Sequence, residues 1–244
     1  MNEQWALITG AAKRVGASIA QTLHANGANI AVHYGSSSAD ADALVDELNN
    51  TRADSAFAIQ ADIRDSSALP ALVANVIQHS GRLDILINNA STFYPTPLDE
   101  VTEADWDDLL GTNLKAPLFL SQAAAPHLRK TGGQIINIVD IHARRPLKNH
   151  PVYGPAKAGL EMLTRSLAKD LAPEIRVNGI SPGAILWPED GMPDSAKASI
   201  VKQIPLGRVG EPADIARTAL FLIKDAPYIT GHVIAVDGGR SVGW

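Results

Sequence analysis

The fold is decided by the stretch Thr9-Gly10-Ala11-Ala12-Lys13-Arg14-Val15-Gly16, which lies between an apolar run, Trp5–Thr9, and an amphipathic stretch, Gly16–Asn26. A strand, a glycine turn and a helix in this order favour phosphate binding, because glycine lets the backbone approach a pyrophosphate and the helix N-terminus stabilises its charge. The spacing is G-x5-G, and Arg14 stands where a common variant has a middle glycine. A tight turn without a ligand is the alternative. The candidate cofactor-binding residues here are Gly10, Lys13, Arg14 and Val15.

Short apolar runs alternate with longer amphipathic stretches along the rest of the chain, which predicts a parallel sheet with helices on both faces. The predicted strands are Trp5–Thr9, Asn29–His33, Ala56–Gln60, Leu83–Ile87, Gln134–Val139, Arg176–Ile180 and Val233–Val236. The predicted helices are Gly16–Asn26, Ala39–Asn50, Ser67–Ser80, Glu103–Arg129, Pro155–Ala172, Ala196–Ile204 and Pro212–Lys224. Pro182–Asp194 is irregular and rich in proline and acidic residues, so we expect a substrate loop at about residues 182–204.

Composition narrows the class of protein. The 244 residues fit one α/β domain over 1–244. A net charge of −5 disfavours nucleic-acid binding and a basic membrane patch, and the lack of cysteine excludes thiolate chemistry and disulfides. No apolar run approaches the about 20 residues of a membrane span, and the N-terminus carries no basic signal region. We therefore expect a cytoplasmic protein with no nucleic-acid or membrane partner and no metal.

The end of the second predicted strand bears on which dinucleotide binds. An acidic residue there would bind the ribose 2′-hydroxyl and repel a 2′-phosphate. The sequence instead reads Val32-His33-Tyr34-Gly35-Ser36-Ser37-Ser38, with no acid before Asp40. Hydroxyls at a helix start, with His33 and Lys13 nearby, favour a phosphate and hence NADP; capping of the following helix is a second role for the serines. The candidate cofactor-binding residues here are His33, Tyr34, Ser36 and Ser37.

Polar residues also follow the third and fourth predicted strands. Asp62-Ile63 suits a hydrogen bond to an adenine amino group, and capping of the next helix is an equally good interpretation. Asn88-Asn89-Ala90-Ser91 follows the fourth strand, where asparagine usually satisfies loop backbone. Asp62, Ile63, Asn89, Ala90 and Ser91 are added to the cofactor-binding set.

The most specific motif is Tyr153-Gly154-Pro155-Ala156-Lys157. Tyr153 and Lys157 are four residues apart and share one helical face. We expect the ammonium to lower the pKa of the phenol, which would help it to exchange a proton near neutral pH. The pair alone is common on protein surfaces, but after the fifth strand of a phosphate-binding sheet it indicates catalysis.

Taken together, these motifs resemble the short-chain dehydrogenase/reductase family over essentially the whole chain. The residues that carry the resemblance are Thr9–Gly16, Asn88–Ala90, Asn113, Tyr153, Lys157 and Pro182-Gly183. In that family an Asn, a Ser, the Tyr and the Lys form the catalytic set. The Ser position, thirteen residues before Tyr153, is Asp140 here.

Asp140 makes the sequence resemble one subgroup of the family more than the others. The pteridine reductases carry Asp at this position and a Thr-Gly-x-x-x-Arg-x-Gly turn, which Thr9–Gly16 matches. They also carry Asn-Ala-Ser-x-Phe-Tyr-Pro-Thr-Pro-Leu, which Asn89–Leu98 matches. A carboxyl beside Tyr153 suits proton delivery to a pterin ring nitrogen, whereas a ketone reductase needs a neutral hydroxyl.

The resemblance implies one doubly wound domain with strand order 3-2-1-4-5-6-7 that reduces a pterin with NADPH. It makes Tyr153, Lys157, Asp140 and Asn113 the catalytic residues, with Asn113 holding a water linked to Lys157. Tyr153, Lys157, Pro182 and Gly183 join the cofactor site. The resemblance also assigns Arg14 both to the cofactor phosphates and to the water of a second reduction. The implied substrate-binding residues are Arg14, Ser91, Phe93, Asp140 and Tyr153, with Phe93 stacking the pterin against the nicotinamide; ordinary core is the alternative for Phe93.

Two other functions remain open at this point. One is a short-chain reductase of 3-oxoacyl thioesters or small ketones, which Asp140 and Arg14 disfavour. The other is an idle NADP-binding regulator, which the intact Tyr153, Lys157 and Asn113 disfavour. We expect His142, Arg144 and Arg145 at the surface or an interface. The family further implies a homotetramer in which the Glu103–Arg129 and Pro155–Ala172 helices pair between subunits. These helices carry apolar residues such as Leu160, Leu163 and Leu167, and the Asp237–Trp244 tail is expected near a contact.

Overall fold

The computed structural model describes residues 1–187 and 191–242. Residues 188–190 of the predicted irregular stretch and residues 243–244 of the predicted tail lie outside the described residues. The strands are β1 Trp5–Ile8, β2 Asn29–Tyr34, β3 Ala56–Gln60, β4 Ile85–Asn88, β5 Gln134–Ile138, β6 Arg176–Pro182 and β7 Val233–Val236. The helices are α1 Arg14–Ala25, α2 Ser38–Thr51, α3 Leu69–Ser80, α4 Glu103–Leu110, α5 Ala116–Thr131, α6 Tyr153–Asp170, α7 Asp194–Lys202 and α8 Pro212–Lys224.

The strands form one seven-stranded parallel sheet in the order β3-β2-β1-β4-β5-β6-β7, which confirms the predicted fold and strand order. Because the chain leaves β1 towards β2 and returns to pair β4 with the other side of β1, the strand order reverses between β1 and β4. Ligands of open parallel sheets bind outside the carboxyl ends of the strands at such a reversal. The turn after β1 and the loop after β4 therefore meet at the expected binding position.

The sheet is buried on both faces, since successive strand residues point to opposite sides. On one face Ile8, Ile30 and Ile87 pack in a cluster that includes residues of α1 and α8. On the other face Leu7 and Leu86 pack in a cluster that includes residues of α3 and α5. Burial on both faces explains why the strands read as continuous apolar runs and not as alternating ones.

The predicted helix Glu103–Arg129 is helical over its whole length, but it is not uniform, because a π-helical segment, Gly111–Lys115, lies between α4 and α5. Within this segment the buried Asn113 donates its side-chain Nδ2 to the carbonyl of Leu109, 2.9 Å away and four residues earlier. A side chain that occupies such a carbonyl shifts the backbone hydrogen bonds of the helix. The irregularity thus accompanies the placement of Asn113.

The remaining differences are small. The predicted helix Ala196–Ile204 is found as α7, two residues earlier, and the helix predicted from Pro155 begins at Tyr153. In the described part of the chain no helix is both long and apolar enough to cross a membrane.

Candidate active site

The turn after β1 is held closed by side chains from the loop after β4. The Thr9 hydroxyl accepts hydrogen bonds from the backbone N–H groups of Asn89 and Ala90, at 2.9 and 3.0 Å. Asn89 returns its amide to the carbonyls of Thr9 and Gly10, at 2.8 and 3.0 Å. A Cβ on Gly16 would lie 2.3 Å from the carbonyl oxygen of Gly10, so only glycine allows the turn to close this tightly. The structure therefore brings Gly10, Asn89 and Ala90 together as predicted.

Arg14 adopts a left-handed backbone conformation with φ of +55°. This conformation explains why a glycine would be favoured at the same position, since side chains rarely adopt a positive φ. The guanidinium Nη2 donates to the carbonyl of Trp187 at 3.3 Å, so Arg14 connects the turn with the loop after β6. A residue held in a sparsely populated conformation beside a binding cleft is a candidate for function.

His33 does not have the predicted role of a group that attracts a phosphate by its charge. Its Nδ1 accepts the N–H of Gly10 at 3.2 Å, and its Nε2 lies 3.1 Å from the carbonyl of Ala61. Burial lowers the pKa of His33 to about 4, so the ring is neutral at physiological pH. It therefore ties the turn after β1 to β2 and to the end of β3, and it offers no positive charge to a phosphate.

A cleft of about 510 Å³ opens beside this turn. It contains both the hydroxyls after β2 and the residues after β3 and β4 that were predicted to bind the cofactor. The predicted residues that line it are Gly10, Lys13, His33, Tyr34, Ser36, Ser37, Asp62, Ile63, Ala90 and Ser91. Val15 instead packs against the core from the first turn of α1.

The rim of the cleft near α2 carries an ion pair, Lys13 with Asp40, and the hydroxyl of Ser37. Lys13 Nζ lies 2.9 Å from Asp40 in the first turn of α2. Ser37 is the N-cap residue of α2, but its side chain makes no capping hydrogen bond, contrary to the capping role expected for the serines. Its hydroxyl is thus not used by the helix.

Asp62 pairs with Arg64, whose Nη2 lies 2.8 Å from the carboxylate and whose Nη1 also reaches Asp108 at 3.1 Å. Hydrogen bonds from the Arg64 side chain hold the pKa of Asp62 below its usual range, so the carboxylate is ionised. The alternative of helix capping was wrong, because α3 begins at Leu69 with Ala68 as its N-cap.

Tyr153 and Asp140 are joined directly. The phenol Oη of Tyr153 donates to Asp140 Oδ2 at 2.9 Å, and Asp140 Oδ1 accepts the N–H of His142 at 2.8 Å. Lys157 is fully buried one turn along α6, where its Nζ donates to the carbonyl of Ile138 at 2.9 Å and lies 5.8 Å from the centre of the Tyr153 ring. The three side chains form one cluster at the carboxyl end of β5.

The expectation that Lys157 lowers the pKa of Tyr153 was wrong for the protein alone. Burial, followed by the nearby charge of Asp140, raises the pKa of Tyr153 well above its ordinary value. Burial lowers the pKa of Lys157 to about 8, opposed by Asp140. The phenol is therefore protonated at neutral pH, which is the state in which it can donate a proton.

Ser91 and Asn113 complete the inner wall. Ser91 Oγ donates to Asn113 Oδ1 at 2.6 Å, and the Asn113 amide donates to the carbonyl of Thr92 at 3.0 Å. These bonds fix the loop after β4 to the π-helical segment. The water that would connect Asn113 to Lys157 stays a prediction.

Phe93 is not ordinary core, since half of its side chain is exposed (51%). Its ring meets that of Tyr153 edge-on, with 4.8 Å between centroids and an angle of 74°. His150, a residue that the sequence analysis missed, stacks on Phe93 at 4.8 Å and 15°. Its position three residues before Tyr153 was the only signal for it. An exposed aromatic platform thus lies beside the phenol.

Pro182 and Gly183 have clear structural roles. Pro182 ends β6, and Gly183 donates its N–H to the carbonyl of Val236 at 3.0 Å. A Cβ on Gly183 would lie 2.6 Å from the Cβ of Asp237, so glycine is required for this close approach. Their contact with a cofactor stays a prediction.

Comparison with known proteins gives the family. Residues 10–241 match a family model described as enoyl-(acyl carrier protein) reductase. The chain belongs to the short-chain dehydrogenase/reductase family. It is 40% identical to pteridine reductase 1 of Leishmania tarentolae, over 97% of this chain and 96% of that protein. It is also 40% identical to the 3-oxoacyl-[acyl-carrier-protein] reductase FabG of Staphylococcus aureus, over 96% of each chain.

Membership of this family makes the protein an oxidoreductase that uses a nicotinamide dinucleotide. The residues present fit such a group. The closed glycine turn, the cleft after β2 and β3, and the Tyr153, Lys157 and Asp140 cluster lie along one edge of the sheet. The two relatives have equal identity, so the substrate must be argued from the site.

Proposed function

We propose that the protein reduces pterins of the dihydrobiopterin or dihydromonapterin type to their tetrahydro forms, with NADPH as the hydride donor. The observation that carries this proposal is the 2.9 Å hydrogen bond between Tyr153 Oη and Asp140 Oδ2. A carboxylate in this position would repel the developing negative charge of a reduced ketone. It can, however, accept the N–H groups of a pterin and support a proton donor that serves a ring nitrogen.

Reduction of a C=N bond adds a hydride to the carbon and a proton to the nitrogen. The nicotinamide supplies the hydride. Tyr153 holds its proton at Oη and donates it to the nitrogen, while the Lys157 ammonium, buried beneath the phenol, stabilises the phenolate that forms. Asp140 orients the phenol through the hydrogen bond between them.

The platform beside Tyr153 supports a flat heteroaromatic substrate. Phe93 presents an exposed ring at van der Waals distance from the phenol, while His150 covers part of it and holds it in place. Stacking of a pterin on Phe93 would place its ring beside Tyr153 Oη. Ser91, which is fixed by Asn113, lies at the same wall.

The choice of NADPH over NADH is supported by the rim of the cleft. Ser36 and Ser37 line it. The Ser37 hydroxyl makes no capping hydrogen bond to α2, so it can bind a phosphate without breaking one. Lys13 adds a cation whose partner Asp40 is itself about half exposed, so the pair can rearrange around a phosphate. His33 contributes by holding the turn and not by charge.

Reduction of 3-oxoacyl thioesters is the second candidate function, favoured by the equal identity to FabG. Oxidation of NADPH should be followed with dihydrobiopterin, dihydrofolate and an acetoacetyl thioester under the same conditions. We expect turnover with the pterins and at most a small fraction of it with the thioester. Preferred turnover of the thioester would overturn the proposal, and binding of NADPH without turnover of any substrate would favour an idle regulator.

A further inference from the structure

The segment that follows β7 curls back over the carboxyl edge of the sheet. Asp237 fixes this turn, because its Oδ1 accepts the N–H of Gly239 at 2.9 Å and its Oδ2 accepts the N–H of Ser241 at 2.6 Å. The turn also packs on the chain that follows α7, where Gly238 accepts the N–H of Leu206 at 3.1 Å. Arg240 is thus carried by a braced turn on the same edge of the sheet as Asp140.

The guanidinium of Arg240 is poorly satisfied. It is partly buried, and it donates one hydrogen bond, from Nη2 to Gln203 Oε1 at 3.3 Å. Among residues 1–187 and 191–242, no carboxylate lies within ion-pair distance of it. An arginine has five N–H donors, so most of the donors of Arg240 are left for water or for a ligand. Burial lowers the pKa of Arg240, while the charges of Asp140 and Asp237 oppose that change.

Other arginines in the protein show how such a group is usually satisfied. Arg176 also loses contact with water, but its guanidinium donates to the carbonyls of Ile229 and Leu222, at 3.0 and 2.9 Å, and to the side chain of Gln134. Arg144 pairs with the carboxylate of Glu161 at 2.8 Å. Arg240 has neither arrangement, although its turn after β7 lies on the same edge of the sheet as the catalytic cluster after β5.

The chemistry of the proposed reaction gives Arg240 a ligand. In a 7,8-dihydropterin the reacting bond joins N5 to C6, and C6 also carries the side chain of the pterin. That side chain therefore begins at the atom that receives the hydride, next to the group that protonates N5. It must leave the site close to Tyr153 and Asp140, on the edge of the sheet that also carries the turn of Arg240.

We propose that Arg240 binds an anionic group, a carboxylate or a phosphate, on the C6 side chain of the pterin. This inference rests on the proposed pterin reduction. Arginine is suited to the task because its planar fork binds both anions through two parallel hydrogen bonds. The guanidinium is held by Gln203, which follows α7 and belongs to the predicted substrate loop at about residues 182–204. The protein then distinguishes pterins by the charge of their side chains.

The test compares three pterins that share the reacting ring. Dihydrobiopterin has a neutral side chain, dihydrofolate carries carboxylates, and dihydroneopterin 3′-phosphate carries a phosphate. In Arg240→Gln the KM of at least one anionic pterin should rise about tenfold or more, the usual effect of removing a charge-assisted hydrogen bond. The KM of dihydrobiopterin and all kcat values should stay within about twofold of wild type, and Arg240→Lys should recover part of the loss. The two anionic substrates distinguish a carboxylate from a phosphate.

Arg208→Gln is the matched control, because Arg208 is an exposed arginine near the same turn that lies 3.7 Å from Asp214. It should change no KM, and the melting temperatures of all variants should agree. Equal KM changes for all three pterins in Arg240→Gln would overturn the inference while leaving pterin reduction standing. Failure of the wild-type protein to reduce any of the three would overturn both.

Discussion

Asp140 is the residue at which the two candidate functions diverge most sharply. If it supports the protonation of a ring nitrogen through Tyr153, Asp140→Ser should restore the family's ordinary hydroxyl and still damage pterin reduction. General acid–base assistance is worth about 10²–10⁴-fold, so kcat with dihydrobiopterin should fall by that range while the Kd of NADPH barely changes. Steady-state kinetics and a cofactor titration would measure both.

Two outcomes would assign Asp140 a different role. A loss confined to KM would mean that the carboxylate binds substrate without aiding proton transfer. A lower melting temperature with wild-type kcat and KM would mean that it only caps the short helical turn after β5, where it accepts the N–H of His142. Asp140→Asn is the control of matched shape, since it removes the charge and keeps the size.

The buried Lys157 predicts the alkaline limb of the pH profile. Its pKa is lowered to about 8 by burial, so the ammonium is present below that pH and lost above it. If the ammonium stabilises the phenolate of Tyr153, kcat/KM should decline as pH rises through about 8, before free lysine would titrate. The limb should move to higher pH in Lys157→Arg if that variant retains activity. A flat profile to pH 10 would contradict this role.

Single residues differ in how far the sequence predicts them. Tyr153 and Lys157 could be predicted from their spacing of four residues after the fifth strand, and Asp140 from the family resemblance, since it stands at the family's Ser position. The neutral state of His33 and the stack of His150 on Phe93 could not. Each depends on which atoms other strands bring within reach, as with Gly10 and Ala61 around His33. The raised pKa of Tyr153 has the same origin, since burial is set by the fold.

At the scale of the element, the loop after β2 and the first turn of α2 set the cofactor. We expect kcat/KM to favour NADPH over NADH at least about tenfold, equal to about 1.4 kcal/mol. The preference comes from Ser36, Ser37 and Lys13 around a 2′-phosphate. In Ser37→Ala, the Kd of NADPH should rise while that of NADH stays the same. Ser67→Ala, in an exposed loop elsewhere, is the control, and equal kcat/KM values in the wild type would contradict the assignment.

Helices and strands were predicted well where the hydrophobic pattern alone indicates them. They were predicted less well where a side-chain hydrogen bond to the backbone changes the helix. The apolar runs located all of the strands to within two residues at either end. The interruption of the long helix at Gly111–Lys115 could not be read, because it depends on the bond from Asn113 to the carbonyl of Leu109. Helical periodicity continues across such an interruption, so the pattern gives no warning.

At the scale of the whole molecule, His33 predicts how stability depends on pH. Its folded pKa is about 4 and its unfolded value is 6.5, so between these values the unfolded chain binds a proton that the folded protein does not. The stabilisation is complete above about pH 6.5 and is lost as pH falls towards 4, by about 3 kcal/mol. Urea midpoints of His33→Gln should be lower at pH 7 and should change less across this window than those of wild type. The exposed His232→Gln is the control, and parallel curves for the two variants would contradict the assignment.

On the two helices that were predicted to pair between subunits, the leucines named from the sequence are not the exposed residues. Leu160 is buried against Val139 and Val233 of its own chain, and Leu163 and Leu167 are also packed against clusters of the same chain. Exposed apolar side chains are found on neighbouring positions of the same two helices. They are Leu118 and Phe119 on α5 and Met162 on α6.

These exposed side chains carry the prediction of a homotetramer. An apolar side chain such as Met162, 58% exposed in the single chain, is more stable when another subunit covers it. We expect light scattering at micromolar concentration to give the mass of four chains. Phe119→Asp and Met162→Asp should each produce smaller species, because a buried carboxylate without a partner opposes association. Tyr228→Asp, at a fully exposed aromatic residue on the turn after α8, should leave the mass unchanged. A wild-type monomer at this concentration would contradict the prediction of a homotetramer.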